Sequence, residues 1–213
     1  MHRAEECPLD SQRVEPDGLE GVSADVVTGS VATYSADPDA FAAFSAMAVA
    51  GPFAAFATGL RSSATVLDAG CGPGRDLARL AELDHRGVGV DLNRSFIDQA
   101  RAHGPVVLGD LRSLPLMSAS FDAVWASASL IHLPSDRAAL ALGELARVAR
   151  SGAPISASVK ISGVTGWADD MPLGRRWFFV WTPDEFAEAV GGAGLCVEEV
   201  LVDDGWVEVR ARR

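Results

Sequence analysis

Cysteine is scarce in this chain: three in 213 residues, at positions 7, 71 and 196. No two form a CxxC pair, and the four histidines show no metal-ligand spacing, so neither a disulfide framework nor a structural zinc is expected. Such usage fits a reduced, cytoplasmic protein. The first residues, MHRAEECPLDSQRVEPDGLEG, contain no apolar core of the kind a secretory signal needs. Positive charge is also short, with 18 Lys and Arg against 29 Asp and Glu, a net charge of −11 and a pI of about 4.7. A surface that acidic repels phosphate backbones, and no nucleic acid is expected as a partner. One stretch lacks charge altogether: AFAAFSAMAVAGPFAAFATGL, residues 40–60. Its 21 positions are enough to span a bilayer. However, it is mostly alanine, Gly51-Pro52 interrupts it, and no Lys/Arg cluster or Trp/Tyr belt flanks it. It reads as one packed helix or two short ones, with no membrane partner.

What is present points to one sizeable core, since 48% of the residues are hydrophobic. Residues 1–33 are polar and turn-rich and form a candidate arm or lid, loose at least over 1–30. Residues 34–213 form a single domain. From residue 65 apolar runs alternate with helical patterns. Strands are expected at 65–69, 87–91, 105–110, 121–127 and 153–160, with helices at 75–83, 94–102 and 135–150. Thr182-Pro183-Asp184-Glu185 starts another helix, with a capping residue, a first-turn proline and acids at the positive end. This alternation argues for an α/β fold, a Rossmann-like doubly wound sheet that is mostly parallel. CVEEVLV and WVEVRAR, joined by Asp203-Asp204-Gly205, instead read as a hairpin, which makes the last strand antiparallel.

The first strand runs straight into VLDAGCGPG. Gly70, Gly72 and Gly74 are spaced GxGxG, so the third glycine comes one residue too early for the dinucleotide fingerprint GxGxxG. No Lys-Ser or Lys-Thr pair follows, which argues against a triphosphate cradle. Asp91 ends the second strand, 17 residues after Gly74, and Asp110 follows 19 residues later at the end of the third. Acids at successive strand ends lie on one edge of a parallel sheet, where open α/β folds bind ligands. There Asp91 can accept from two ribose hydroxyls and Asp110 can meet an adenine amino group.

VLDAGCGPG, GVGVD, GDLRSLPL and FDAVWASASLIHL, in this order and spacing, resemble the successive motifs of class I S-adenosylmethionine (SAM) dependent methyltransferases. The resemblance covers roughly residues 34–211 and is closest to small single-domain members that act on metabolites. GRRWFFVWTPDEF, 174–186, is similar to a segment of many bacterial members. The resemblance implies SAM as cofactor, with Asp68, Ala69, Gly70, Cys71 and Gly72 along its methionine part. It further implies Asp91 on the ribose, Leu92 and Leu111 against the adenine, and Asp110 on the adenine amino group. The Ala126 and Ser127 backbone would face the methionine ammonium, and Tyr34 would close over the cofactor. His132 and then Tyr34 are the candidates for a general base, should the acceptor need one. A monomer or homodimer is expected, and the aromatic and uncharged segments outside these motifs suit a small, flat or apolar acceptor.

Plainer roles stand beside these. Cys71 reads as a small buried filler, His132 as structural, and Arg175 and Arg176 as surface charges. Half of the Trp167, Trp177, Phe178, Phe179 and Trp181 cluster reads as ordinary core and the rest as a wall for a flat acceptor, with 162–181, the N-terminal arm and the 40–60 helix capping the sheet edge. Ala126-Ser127-Ala128-Ser129 stands where an NPPY-type motif would be, which argues against methylation of nucleobases. Two other classes remain open: a nicotinamide-dependent oxidoreductase, and a non-catalytic methyltransferase-like binding or partner subunit.

Overall fold

In the computed structural model, residues 24–47, 51–169 and 173–213 are described. Residues 1–23 of the expected arm lie outside them. Five strands of the expected alternation form: β1 Thr65–Ala69, β2 Arg86–Asp91, β3 Val106–Leu108, β4 Ala123–Ser127 and β5 Pro154–Lys160. They are parallel to one another, in the order β3-β2-β1-β4-β5. Val66, Leu67, Val124 and Ala126 are wholly buried. A central parallel strand is covered on both faces, so its sequence is continuously apolar.

The remaining two strands of this sheet are Cys196–Asp203 and Trp206–Arg212, the expected hairpin. Asp204 and Gly205 turn it with φ of 39° and 80°. They are β8 and β9, since a short pair, β6 Gly166–Asp169 and β7 Arg175–Phe178, comes earlier in the chain. β9 pairs antiparallel with β5, from Pro154–Arg212 to Lys160–Trp206, and β8 lies outside it.

Helices cover both faces. On one side α6 Ser135–Val148 buries Ala138, Ala141, Leu142 and Leu145, the i, i+3, i+4, i+7 stripe of a packed helix. It joins α7 Pro183–Gly192, whose start is a full capping box between Thr182 and Glu185. On the other side α3 Gly51–Thr58, α4 Arg75–Glu82 and α5 Arg94–Ala100 bury Phe53, Phe56, Leu77, Leu80 and Ile97 around Trp125.

The N-terminal part departs from expectation. Helix α1, Ala24–Ala36, runs through the boundary drawn at 33, so residues 24–30 are helical and not a loose arm. Helix α2, Pro38–Ala46, is capped by Asp37, whose side chain accepts from the Ala40 amide. The uncharged stretch forms two short helices, one of the two expected forms, and Gly51-Pro52 heads the second, α3, where a proline is tolerated. No single helix among the described residues is long and apolar enough to cross a membrane; α2 and α3 reach that length only together, as a pair bent by 69°. A further antiparallel pair was not expected as strands: β6 Gly166–Asp169 and β7 Arg175–Phe178. It lies against α1, where the Trp177 amide donates to Ser30 Oγ at 3.0 Å and Thr33 Oγ1 donates to the Arg175 carbonyl at 2.7 Å.

Candidate active site

The strand order reverses between β1 and β4, so their carboxyl ends open a crevice there. The glycine turn hangs over it. The Gly70 and Cys71 amides both donate to the Val90 carbonyl, at 2.8 and 3.0 Å. The Gly72 amide donates to Asp91 Oδ2 at 2.9 Å, and the Asn93 amide donates to Asp91 Oδ1 at 2.8 Å. Asp91 thus joins the turn after β1 to the helix start after β2. Gly70 sits at φ +80°, and a Cβ there would lie 2.3 Å from Ser129 Cβ. Only glycine allows that approach. Cys71 is buried against Gly89, and burial pushes its thiol up out of reactive range. It contributes backbone and volume.

Asp68 is the electrostatic anomaly of the crevice. It is 3% exposed, and its Oδ2 meets no hydrogen-bond donor. Burial pushes its carboxyl well up, and the neighbouring Asp76 adds to this. Asp76 itself is satisfied: despite burial, the Arg75 guanidinium holds it low, with help from Trp125 Nε1 and Arg79. The Ser129 hydroxyl, against Gly70, is likewise buried without a partner. Two buried oxygens without partners, one on β1 and one against the glycine turn that follows it, suit a cationic donor group such as an ammonium. Ala69 and Ala126 are fully buried core. Ser127 ends β4 half-buried, and Ala128, at φ 53°, turns the chain outward.

Further along the edge Leu92 and Leu108 are 39% and 40% exposed, large apolar side chains with nothing over them. Leu111 packs partly buried on the main core. Asp110 is engaged by Arg112, whose Nε donates at 2.9 and 3.1 Å and whose backbone amide donates at 2.9 Å. Those hydrogen bonds hold its carboxyl low. Burial raises Asp91, against the amides of Asn93 and Gly72.

Beyond β4 a second group assembles. His132 Nδ1 lies against the Trp177 carbonyl, which only accepts, so Nδ1 carries the hydrogen. Its Nε2 then accepts from Tyr34 Oη at 2.9 Å, and Arg176 Nη1 donates to the same oxygen at 2.7 Å. Burial, with Arg176 and Lys160 nearby, pulls the imidazole down to about 4, so it is neutral at pH 7. Phe178 lies 5.1 Å from the His132 ring, and Tyr34 packs on Phe41 and Phe96.

Several expectations need correction here. Arg176 is not a surface charge; it is 4% exposed, because alternation on β7 turns it and Phe178 toward Tyr34 while Arg175 stays outside. Trp181 belongs to the main core, on Phe186 of α7, and Trp177 is buried beneath α1 and β6; Phe178 is the aromatic that faces His132. Ser129, Arg176 and Lys160 were not singled out for the site from sequence. For Ser129 the preceding glycine turn offered no hint of contact, since the two meet only across β1 and β4.

The sequence profile described as "Methyltransferase domain" matches residues 66–152. An O-methyltransferase of Penicillium expansum, cnsE, is 29% identical over 63% of this chain and 53% of its own length. The chain spans about half or less of the length of the curated relatives it matches. Burkholderia thailandensis 1,6-didemethyltoxoflavin-N1-methyltransferase, solved with its acceptor and S-adenosylhomocysteine, superposes with a TM-score of 0.69 at 24% identity, over 97% of this chain and 93% of that one. The [4+2]-cyclase SpnF gives 0.63 at 19%, over 76% and 78%. At these identities the structures speak for the fold alone. With the reversed sheet order they place the chain in the class I methyltransferase fold, and residues 66–152 are similar to the methyltransferase domain profile.

Proposed function

We propose that this protein is a SAM-dependent methyltransferase acting on a small-molecule acceptor. The observation that carries the reading is the pair of unsatisfied buried acceptors, Asp68 Oδ2 and Ser129 Oγ, beneath a glycine turn at the β1/β4 switch point. The donor's methionine ammonium is the cation they suit, with the Ala126 and Ser127 backbone alongside. Asp91 takes the ribose hydroxyls through its remaining lone pairs, while Gly70, Cys71 and Gly72 supply a surface without side chains. Leu92 and Leu111 bracket the adenine. Asp110 takes the adenine amino group and shares its oxygens with Arg112.

When bound, SAM supplies a methyl on a cationic sulfur, which keeps the bonding pair as the acceptor's lone pair displaces it in line. The chain's task is then mainly placement and exclusion of water. Tyr34 and His132 form a hydrogen-bonded wall where α1 closes on the sheet edge. A neutral imidazole with two cations nearby is a weak proton acceptor, so this pair positions the acceptor and does not hold its proton. The names of relatives such as cnsE favour oxygen as the methylated atom. The fold by itself does not decide the chemistry, since the chain superposes on the [4+2]-cyclase SpnF as well. Calorimetry with S-adenosylhomocysteine and with NAD⁺ tests the reading. Binding of the first alone is expected; NAD⁺ binding alone, or binding of neither, would sink it.

A further inference from the structure

Lys160 is the only lysine in the sequence; every other cationic side chain of the 18 is arginine. It is the last residue of β5, so it stands on the same carboxyl edge as the glycine turn and Asp91. Its ammonium lies 4.7 Å from the centre of the Phe178 ring, whose other neighbours are His132 and the Arg176 guanidinium at 5.1 Å. Among the described residues it forms no ion pair, in a chain where acids outnumber Lys and Arg by 29 to 18. His132 cannot offset it: its ring, held between the Trp177 carbonyl and the Tyr34 hydroxyl, is kept neutral by burial and the two nearby cations, and an imidazole carries no negative charge.

A cationic methyl donor bound at this edge would therefore face an ammonium that no described carboxylate pairs. Two like charges in a partly dehydrated crevice repel unless something negative lies with them. We propose that the negative charge comes with the methyl acceptor: it is an anion, a carboxylate or an ionised hydroxyl on an apolar frame, held by the Lys160 ammonium over Phe178. This rests on the methyltransferase reading and narrows its substrate class. An anionic oxygen has no proton to lose, so it needs no base, which agrees with a site whose one histidine is a weak proton acceptor with its Nε2 already engaged by Tyr34. Lysine suits the task as a compact point charge on a flexible stem, able to follow an acceptor that enters and a product that leaves uncharged.

The test compares benzoate with benzamide, nearly isosteric probes that differ in charge, by ligand-observed NMR titration with S-adenosylhomocysteine present. The unaltered protein is expected to bind benzoate about tenfold more tightly or better, as a charge-assisted contact implies. Lys160→Met should abolish that preference, and Lys160→Arg should keep most of it. Neither variant should weaken S-adenosylhomocysteine binding, which also shows that each is folded. Equal binding of the two probes, binding of neither, or a preference that survives in Lys160→Met would overturn the proposal. If the unaltered protein fails to bind S-adenosylhomocysteine, the methyltransferase reading falls first and this inference with it.

Discussion

The two sides of the crevice are built at different ranges of the chain. On the donor side the decisive bonds are local: Asp91 to the Asn93 amide spans two residues, and Asp91 to the Gly72 amide spans 19. On the acceptor side Tyr34 reaches His132 across 98 residues, Arg176 reaches Tyr34 across 142, and Trp177 reaches Ser30 across 147. A local constellation leaves a fixed spacing in the sequence. A wall assembled from a helix, a loop and a late hairpin leaves none. The donor side is thus a property of one strand–turn–helix repeat, whereas the acceptor side exists only once α1 has closed on β7.

The largest expected effect lies in neither region. Trp181→Ala empties a site under α7 in the main core and should cost about 3–5 kcal/mol in equilibrium denaturation. Donor affinity and turnover should fall together with the folded fraction. A variant of full stability that loses turnover alone would return Trp181 to the acceptor wall.

Asp91→Ala strikes the donor side. It removes the proposed ribose acceptor and releases the Gly72 and Asn93 amides. Charge-assisted bonds worth roughly 1.5–3 kcal/mol each imply a loss of about a hundredfold or more in S-adenosylhomocysteine affinity by calorimetry. Unchanged affinity would reduce Asp91 to a structural strap for the turn.

The acceptor wall can be probed through pH. Folding lowers His132 from its ordinary value to about 4, so between about 4 and 6.5 the unfolded chain binds more protons. Stability from this group is therefore full above about 6.5 and is lost as pH falls toward 4, on the order of 2 kcal/mol for a half-buried ring. Asp68 and Asp91, both raised, act in the opposite sense in the acid range. The informative quantity is accordingly the difference between the unaltered protein and His132→Asn in urea denaturation at pH 7.5 and 4.5. Parallel losses in the two proteins would mean that His132 is protonated in the fold.

The smallest effect expected is that of Tyr34→Phe. The ring stays against Phe41 and Phe96, but His132 Nε2 and Arg176 Nη1 lose their shared oxygen, at a cost of about 1–2 kcal/mol. Turnover with a given acceptor should drop more than donor affinity. An equal drop in both would join the two regions into one site.

The alternation of strands and helices was legible because period-two and period-3.6 patterns are set by neighbours in the chain. The terminal hairpin was legible because Asp204 and Gly205 carry the turn chemistry it needs. Helix α1 was missed because ADVVTGSVATYSA has no strong apolar stripe, and its folded state depends on the β7 face it covers. The short pair β6–β7 was read as an aromatic cluster, because four-residue strands carry too little alternation to declare themselves.

By itself the sequence determined the repeat that makes the donor crevice: a buried strand, a turn only glycine can follow, and acids spaced to end the next two strands. Backbone sterics and chain connectivity act within a few residues, so that information is written in order along the chain. Only the tertiary structure decided which cations face the crevice. Arg175 and Arg176 are adjacent in sequence, yet one is exposed and the other is 4% exposed on Tyr34, because alternate residues of a strand point to opposite faces. The same holds for the only lysine. Its place at the end of β5 can be counted from the sequence, but its lack of a carboxylate partner among the described residues depends on the elements packed around it.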